Sequence, residues 1–405
     1  MKIHLMRYLP SIGLILALYF VPITAANAQI IFTGVPFVQI EPTAQGMFTG
    51  GAASASPSAH PSSFFYNPAH LGYAGYHQNI SLSGYFRDMD WLPVSNFDMT
   101  YSQRSAAGGI NLAGQLGIPL SVGLGYQRAA MDLGLQVVRD ETGTVIERFD
   151  AEEWFNMLGI GIHLDYPVTV SFGYSRKSIT SIMLPEEETK TTAYDLGLLL
   201  GYTHDLHPFD VRISTSFVIR NVGDGIQYFV AFGPDPLPRE AVWGYELSAG
   251  YTMEREQLRM RFFQADWTLE AQDILVEAGG GGGTWFKYTS WPGNISFIDN
   301  VVLGRNDEQI VIRQGIRLHV MEILTVGRGK FEGRSWSDIQ TSGYSVSSQG
   351  ILKLMDLIFD HPIISRVNDR VTITYSNASL NAESPEHPLS GTTYQDLSIQ
   401  FSWRW

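Results

Sequence analysis

The sequence predicts an all-β protein: a transmembrane antiparallel β-barrel of about fourteen strands, preceded by a mostly non-strand amino-terminal segment. Three observations carry this. Apolar and polar residues alternate with period two almost continuously after Gln78; the connections between alternating runs sort into short and long; and the chain ends on Leu397–Trp405, a strand with one fully apolar face. In that stretch Leu397, Ile399, Phe401, Trp403 and Trp405 alternate with Ser398, Gln400, Ser402 and Arg404. Side chains of a strand point to opposite faces in turn, so one face of this segment suits lipid and the other a wet lumen.

The chain begins with the pattern of a secretory signal, assigned to 1–28. Lys2 and Arg7 precede an apolar stretch, Ile12–Val21, and Ala26-Asn27-Ala28 forms a small-residue cleavage site. Beyond Gln29 no apolar run reaches the ~18 residues that a spanning helix needs. The formal charge of 27 − 40 = −13 becomes 25 − 40 = −15 without Lys2 and Arg7, a net acidity that argues against nucleic acid or anionic membrane as electrostatic partners. With no cysteine, an exported chain needs another source of stability, and a closed ladder of strands supplies one. Forty glycines, 12% aromatics and a mean hydropathy near zero agree with strands that are apolar on one face only.

Residues 29–76 are irregular and rich in Gly, Ala, Ser and Pro, and read as a mostly non-strand segment before the barrel; residues 77–405 are assigned as the barrel. Alternation then runs through Leu120–Tyr126, Leu158–Tyr166, Val168–Tyr174, Tyr194–Tyr202, Val211–Ile219, Tyr245–Met253, Ile310–Val320 and Val371–Tyr375. Many polar-face positions are small, which leaves room in the lumen for another segment. About fifteen candidate strands can be counted. With both termini on the periplasmic side the number is even, so fourteen is the expectation. Tyr166-Pro167, His204–Pro208 and Arg255–Gln257 read as tight turns; 128–153, 178–190, 221–240, 271–308 and 378–393 read as long loops. Alternating short and long connections are the pattern of periplasmic turns and extracellular loops.

No enzyme site is assembled. Thr374-Tyr375-Ser376-Asn377-Ala378 is similar to a signature of lipid A deacylase barrels, but Thr374 stands where that family has its general-base histidine, so Ser376 has no activating partner. His204 and His207, in a turn beside Pro208, lack the further ligands a metal needs, and Glu186-Glu187-Glu188 lacks calcium-loop spacing. Asp88, Asp90 and Trp91 are placed at a rim. Gly279–Gly283 lacks the Lys-Ser ending of a phosphate cradle and reads as a flexible loop before Trp285. No catalytic residue, metal or cofactor is assigned.

Two stretches of the segment before the barrel carry a resemblance. Pro36-Phe37-Val38-Gln39-Ile40-Glu41-Pro42-Thr43-Ala44-Gln45-Gly46-Met47 resembles the mature amino-terminus of the PorV/PorQ group within the FadL-like superfamily. Ser63-Phe64-Phe65-Tyr66-Asn67-Pro68-Ala69-His70-Leu71 resembles the superfamily's Asn-Pro-Ala motif, and Ser216–Gly223 its mid-barrel strand ending Asn-(aliphatic)-Gly. Thr43-Ala44-Gln45 departs from the Asp-Ala-Arg usual in the PorV/PorQ group. The resemblance implies a non-enzymatic, fourteen-stranded barrel in the bacterial outer membrane, with residues 29–76 as a hatch tucked into its lumen. Its implied role is handling exported cargo for a type IX-like secretion system; the alternative is FadL-like passage of long-chain fatty acids or other hydrophobic molecules. Implied partners are outer-membrane lipid, the barrel-assembly machinery acting on the strand with Phe401, Trp403 and Trp405, and either secretion components and cargo or a hydrophobic ligand.

Overall fold

A computed structural model describes residues 33–402, apart from 94–97, 186, 229–232, 256–257, 280–284, 308, 334–335 and 360–361. The signal, Trp403 and Trp405, and most of the glycine run after Gly279 lie outside the described residues.

Strands come in one antiparallel, 15-stranded sheet. They are β1 Asn79–Tyr85, β2 Met89–Trp91, β3 Met99–Asn111, β4 Leu120–Arg139, β5 Val145–Leu164, β6 Val168–Leu184, β7 Glu187–Leu206 and β8 Phe209–Val222. After these come β9 Glu240–Arg255, β10 Leu258–Ile274, β13 Ile310–Val320, β14 Leu324–Gly333, β15 Trp336–Ser347, β16 Val371–Ala382 and β17 Thr393–Ser402, with a small separate hairpin of β11 Val276–Ala278 and β12 Phe286–Tyr288 between β10 and β13. β1 pairs with β17 from Asn79↔Ser402 to Tyr85↔Asp396 and with β3 from Ile80↔Gly108 to Gly84↔Arg104. That double pairing closes the sheet. The three-residue β2 is an appendage on β3, so the closed barrel has 15 − 1 = 14 strands. Closure satisfies the backbone groups of every wall strand, which is what the hydrocarbon requires. The outward residues are apolar and exposed along the wall, among them Leu158, Ile160, Phe172, Ile213, Ile316 and Phe401. This is a β-barrel of the bacterial outer membrane.

Three connections differ from the sequence reading. The stretches 128–153 and 178–190 are mostly strand: β4 and β5 pair out to Arg139↔Val145, and β6 and β7 to Leu184↔Glu187. Alternation fades there because Gln136, Glu147, Arg148 and their neighbours stand above the membrane, where both faces meet water. The link between β15 and β16, at the end that carries the tight turns, contains two helices, Ser348–Phe359 and Pro362–Asn368. The loop after β12 folds back over the outside of the wall. Its π-helical turn, Phe297–Val302, covers the outward residues Ala241, Leu269, Ala271 and Ile312.

Candidate functional site: the hatch and its glycine bed

Residues 33–78 fill the lumen without forming a strand. The segment starts near the extracellular rim, where the Gly34 amide donates to the Pro236 carbonyl at 2.9 Å. It ends at the opposite mouth, where the helix His70–Tyr76 leads into β1.

The wall is shaped to receive it. Gly109, Gly123, Gly161, Gly173 and Gly197 are direct partners across β3, β4, β5, β6 and β7, forming one row of bare backbone on the inner face. The hatch main chain lies along this row. A Cβ on Gly197 would collide with the Asn67 side chain, one on Gly173 with the Pro68 carbonyl group, and one on Gly123 with the Leu71 carbonyl. On Gly161 and Gly109 it would come within 2.5 Å of Gly72 and Gly75. One step up the strands, Gly125 and Gly159 are paired and bracket Phe64 and Leu71, with 2.7 Å from each ideal Cβ to a Leu71 methyl. Across the lumen a second patch, Gly315 with Gly329 and Gly327 with Gly343, admits Phe48, Thr49 and Gly50. Such close approach of main chain to main chain leaves no room for any larger residue.

The two hatch motifs meet. Thr43 Oγ1 accepts from the Gly46 amide at 3.0 Å and lies 3.1 Å from the Tyr66 hydroxyl, and Gly46 packs against that ring. Met47 is buried beside them, while Pro36 is the exposed first residue of a 3-10 turn whose Phe37 and Val38 are buried, and Pro42 is buried. Phe37 and Phe65 both pack on Phe155, at 5.9 and 6.3 Å between ring centroids. Asn67 Nδ2 donates to the carbonyls of Ser54 at 3.1 Å and Leu198 at 3.2 Å, and its Oδ1 accepts from the Ala69 amide at 3.0 Å. Asn67 thus ties the hatch to itself and to the wall, Pro68 rigidifies the turn, and Ala69 is buried with no space for more.

Charged side chains of the strands complete the seal. Lys177 Nζ sits 3.0 Å from Asp195, donates to Asn221 Oδ1 at 2.7 Å and lies 5.1 Å from the Phe65 ring centroid. Arg220 pairs with Glu240 at 2.7 Å, and Gln39 donates to the same carboxylate at 2.5 Å. Glu270 accepts from the Ser54 amide at 3.1 Å, and Ser54 Oγ lies 2.8 Å from Ser216 Oγ. Glu246 is held by Arg212 and Arg317, each at 2.7 Å, and by Ser56. Charges this deep in a protein persist because each has a partner. Within the hatch, burial pushes the Glu41 carboxyl up to about 7 despite Arg313 at 3.3 Å. Burial alone drives His60 down to about 4, and dominates at His70, also down to about 4.

Directly behind the glycine row, on the membrane side, lies an apolar groove of about 550 Å³, lined by Ile162, Phe172, Leu198, Phe217, Ile219 and Trp291. The register explains it: Ile162, Phe172, Leu198 and Phe217 form the outward row next to the inward glycines. Trp291, from the loop folded over the wall, stands 6.0 Å from Phe217 at one end. The glycine bed and this groove were not assigned from sequence. Their signal was present in Gly123, Gly125, Gly159, Gly161 and Gly173, each at a polar-face position between apolar residues.

The other candidates lie apart from the hatch motif. Ser376 faces the lumen in the middle of β16 and accepts from Gln45 at 3.3 Å. His204 and His207 are exposed at the β7–β8 turn, and no group of three His, Cys, Asp or Glu able to hold a metal occurs among the described residues. Asp90 and Trp91 belong to β2.

No family model matches the sequence, and no curated protein does. Similar solved structures include the Pseudomonas putida toluene transporter TodX, at 10% identity over 89% of this chain and 97% of that one, TM-score 0.40. The CymD monoaromatic hydrocarbon channel aligns at 12% identity over 91% and 99%, TM-score 0.40. A Pseudomonas aeruginosa FadL homologue aligns at 8% identity over 93% and 100%, TM-score 0.41.

Proposed function

We propose that the barrel passes hydrophobic small molecules sideways, between its lumen and the bilayer, under control of the hatch. The observation that carries this is the glycine row: only main chain separates the Asn67-Pro68-Ala69 motif from an apolar groove on the membrane face. A hydrophobic solute gains about 25 cal/mol for each Å² of apolar surface it buries, and the lumen below the hatch, lined by ion pairs, offers little of that. The groove offers it, beside the place where a shift of the hatch would expose backbone alone. Replacing Leu198 and Phe172 with Trp fills the groove without touching the hatch. In proteoliposomes this is expected to slow uptake of a fluorescent long-chain fatty acid at least about tenfold, the equivalent of about 1.4 kcal/mol. Unchanged uptake overturns the proposal.

The second reading is reception of exported cargo for a type IX-like secretion system. It is favoured by the seal itself: a lumen closed by buried aromatics and ion pairs suits a barrel that works through its outer surfaces. Its test is a mild-detergent pull-down from the native outer membrane. Recovery of a giant translocon barrel or of sorting-domain cargo supports it; recovery of the barrel alone, carrying lipid, opposes it.

A further inference from the structure

The connection between β15 and β16 carries a pattern the hatch does not use. On the helix Ser348–Phe359, Ile351, Met355, Ile358 and Phe359 recur at the spacing of one helical face, and all are exposed. Ile358 is 71% and Phe359 63% exposed, so the described residues leave both largely uncovered, and Ile363 on the following helix is 60% exposed. The two charged residues of the first helix turn the other way: Lys353 pairs with Glu322 in the β13–β14 turn, and Asp356 accepts from Ser365 at 2.5 Å. Gly350 rests against the Met321 carbonyl with no space for a side chain. A water-facing helix would show the reverse arrangement.

We propose that this helical pair lies in the interfacial layer of the inner leaflet, as an amphipathic foot that holds the barrel's periplasmic rim to phospholipid. The surface it extends is the lipid-facing wall. The first helix starts one residue after Val346 and Ser347, and Ser348 Oγ accepts from the Ile373 amide at 2.9 Å. Val346 and Ile373 are themselves exposed apolar residues of the wall, so the stripe continues the membrane-facing surface at the level where the strands end. Arg366, in the last turn of the second helix, and Arg370 after it are exposed cations beside this stripe. Apolar area flanked by basic residues is the composition that binds a bilayer surface.

The chain has no cysteine, so one cysteine reports one position. Full-length protein with Ile358→Cys carries a nitroxide in vesicles of phosphatidylethanolamine and phosphatidylglycerol, and collision with oxygen is compared with collision with a water-soluble nickel chelate. The references are Ile316→Cys on the lipid-facing wall and Thr142→Cys in an exposed extracellular turn. The proposal expects the ratio at 358 to match that at 316. A ratio matching that at 142 overturns it and leaves the stripe for a soluble protein partner. Ile363→Cys, with the same two outcomes, serves if the first variant does not assemble.

Discussion

Replacing Gly173 with alanine tests the fit between hatch and wall. In an ordinary strand this change is neutral or favourable, because glycine packs nothing and costs backbone entropy. Here the added Cβ would meet the carbonyl carbon and oxygen of Pro68 and the Ala69 nitrogen, all main chain. Gly173 is fixed by its pairs with Gly161 and Gly197, so the hatch must move. Overpacking of this kind costs typically about 1–3 kcal/mol. A shift at Pro68 also strains the Asn67 bonds to Leu198 and Ser54, each worth about 1 kcal/mol. A loss of about 2 kcal/mol raises the undocked fraction about thirtyfold. The assay is the rate at which subtilisin cuts the hatch in detergent, with the heat-modified gel shift as the control for an intact barrel. Gly114→Ala is the comparison, since its Cβ would meet nothing within 4 Å. If Gly173→Ala leaves the hatch as protected as Gly114→Ala does, the close-fit argument is wrong.

Further outcomes follow from the charges. Glu41 is protonated more readily when docked, so docking is strongest below about 4.5 and loses up to about 3 kcal/mol as pH rises to about 7; Glu41→Gln flattens that slope in the same proteolysis assay. His60 and His70 run the other way: their docked forms resist protonation, so their contribution is complete above 6.5 and is lost as pH falls towards about 4. The two windows overlap and two histidines outweigh one carboxyl, so hatch protection should rise from about pH 4 and peak near 6.5. Lys177→Met strands Asp195 in the interior and should cost about 3–5 kcal/mol, seen as a lower temperature for the gel shift, while adding Asp195→Leu restores most of it.

Much of the barrel could be read from residues alone, because period-two alternation is imposed wherever one face meets lipid and the other the lumen. Phe172 beside Gly173 and Leu198 beside Gly197 show the pattern at its plainest. It failed where that asymmetry ends. Above the membrane, Gln136–Arg139 and Val145–Arg148 belong to strands whose two faces are both wet, and these looked like loop. The helices at 348–368 were missed because a search for period two passes over Ile351, Met355 and Ile358. Asn67-Pro68-Ala69 was visible as a motif, but its bed was not: five glycines on five strands become a row only through register, and register joins residues as distant as 109 and 197.

The most direct test of the central claim uses Ser54 and Ser216, whose hydroxyl oxygens lie 2.8 Å apart between hatch and wall, next to Asn67. Ser54→Cys with Ser216→Cys allows a disulfide that locks the hatch in an otherwise cysteine-free chain. Uptake of a fluorescent fatty acid is then measured in proteoliposomes before and after reduction. A hatch-controlled lateral route predicts that the oxidised protein is inert and that reduction restores uptake. Equal uptake in both states would contradict it.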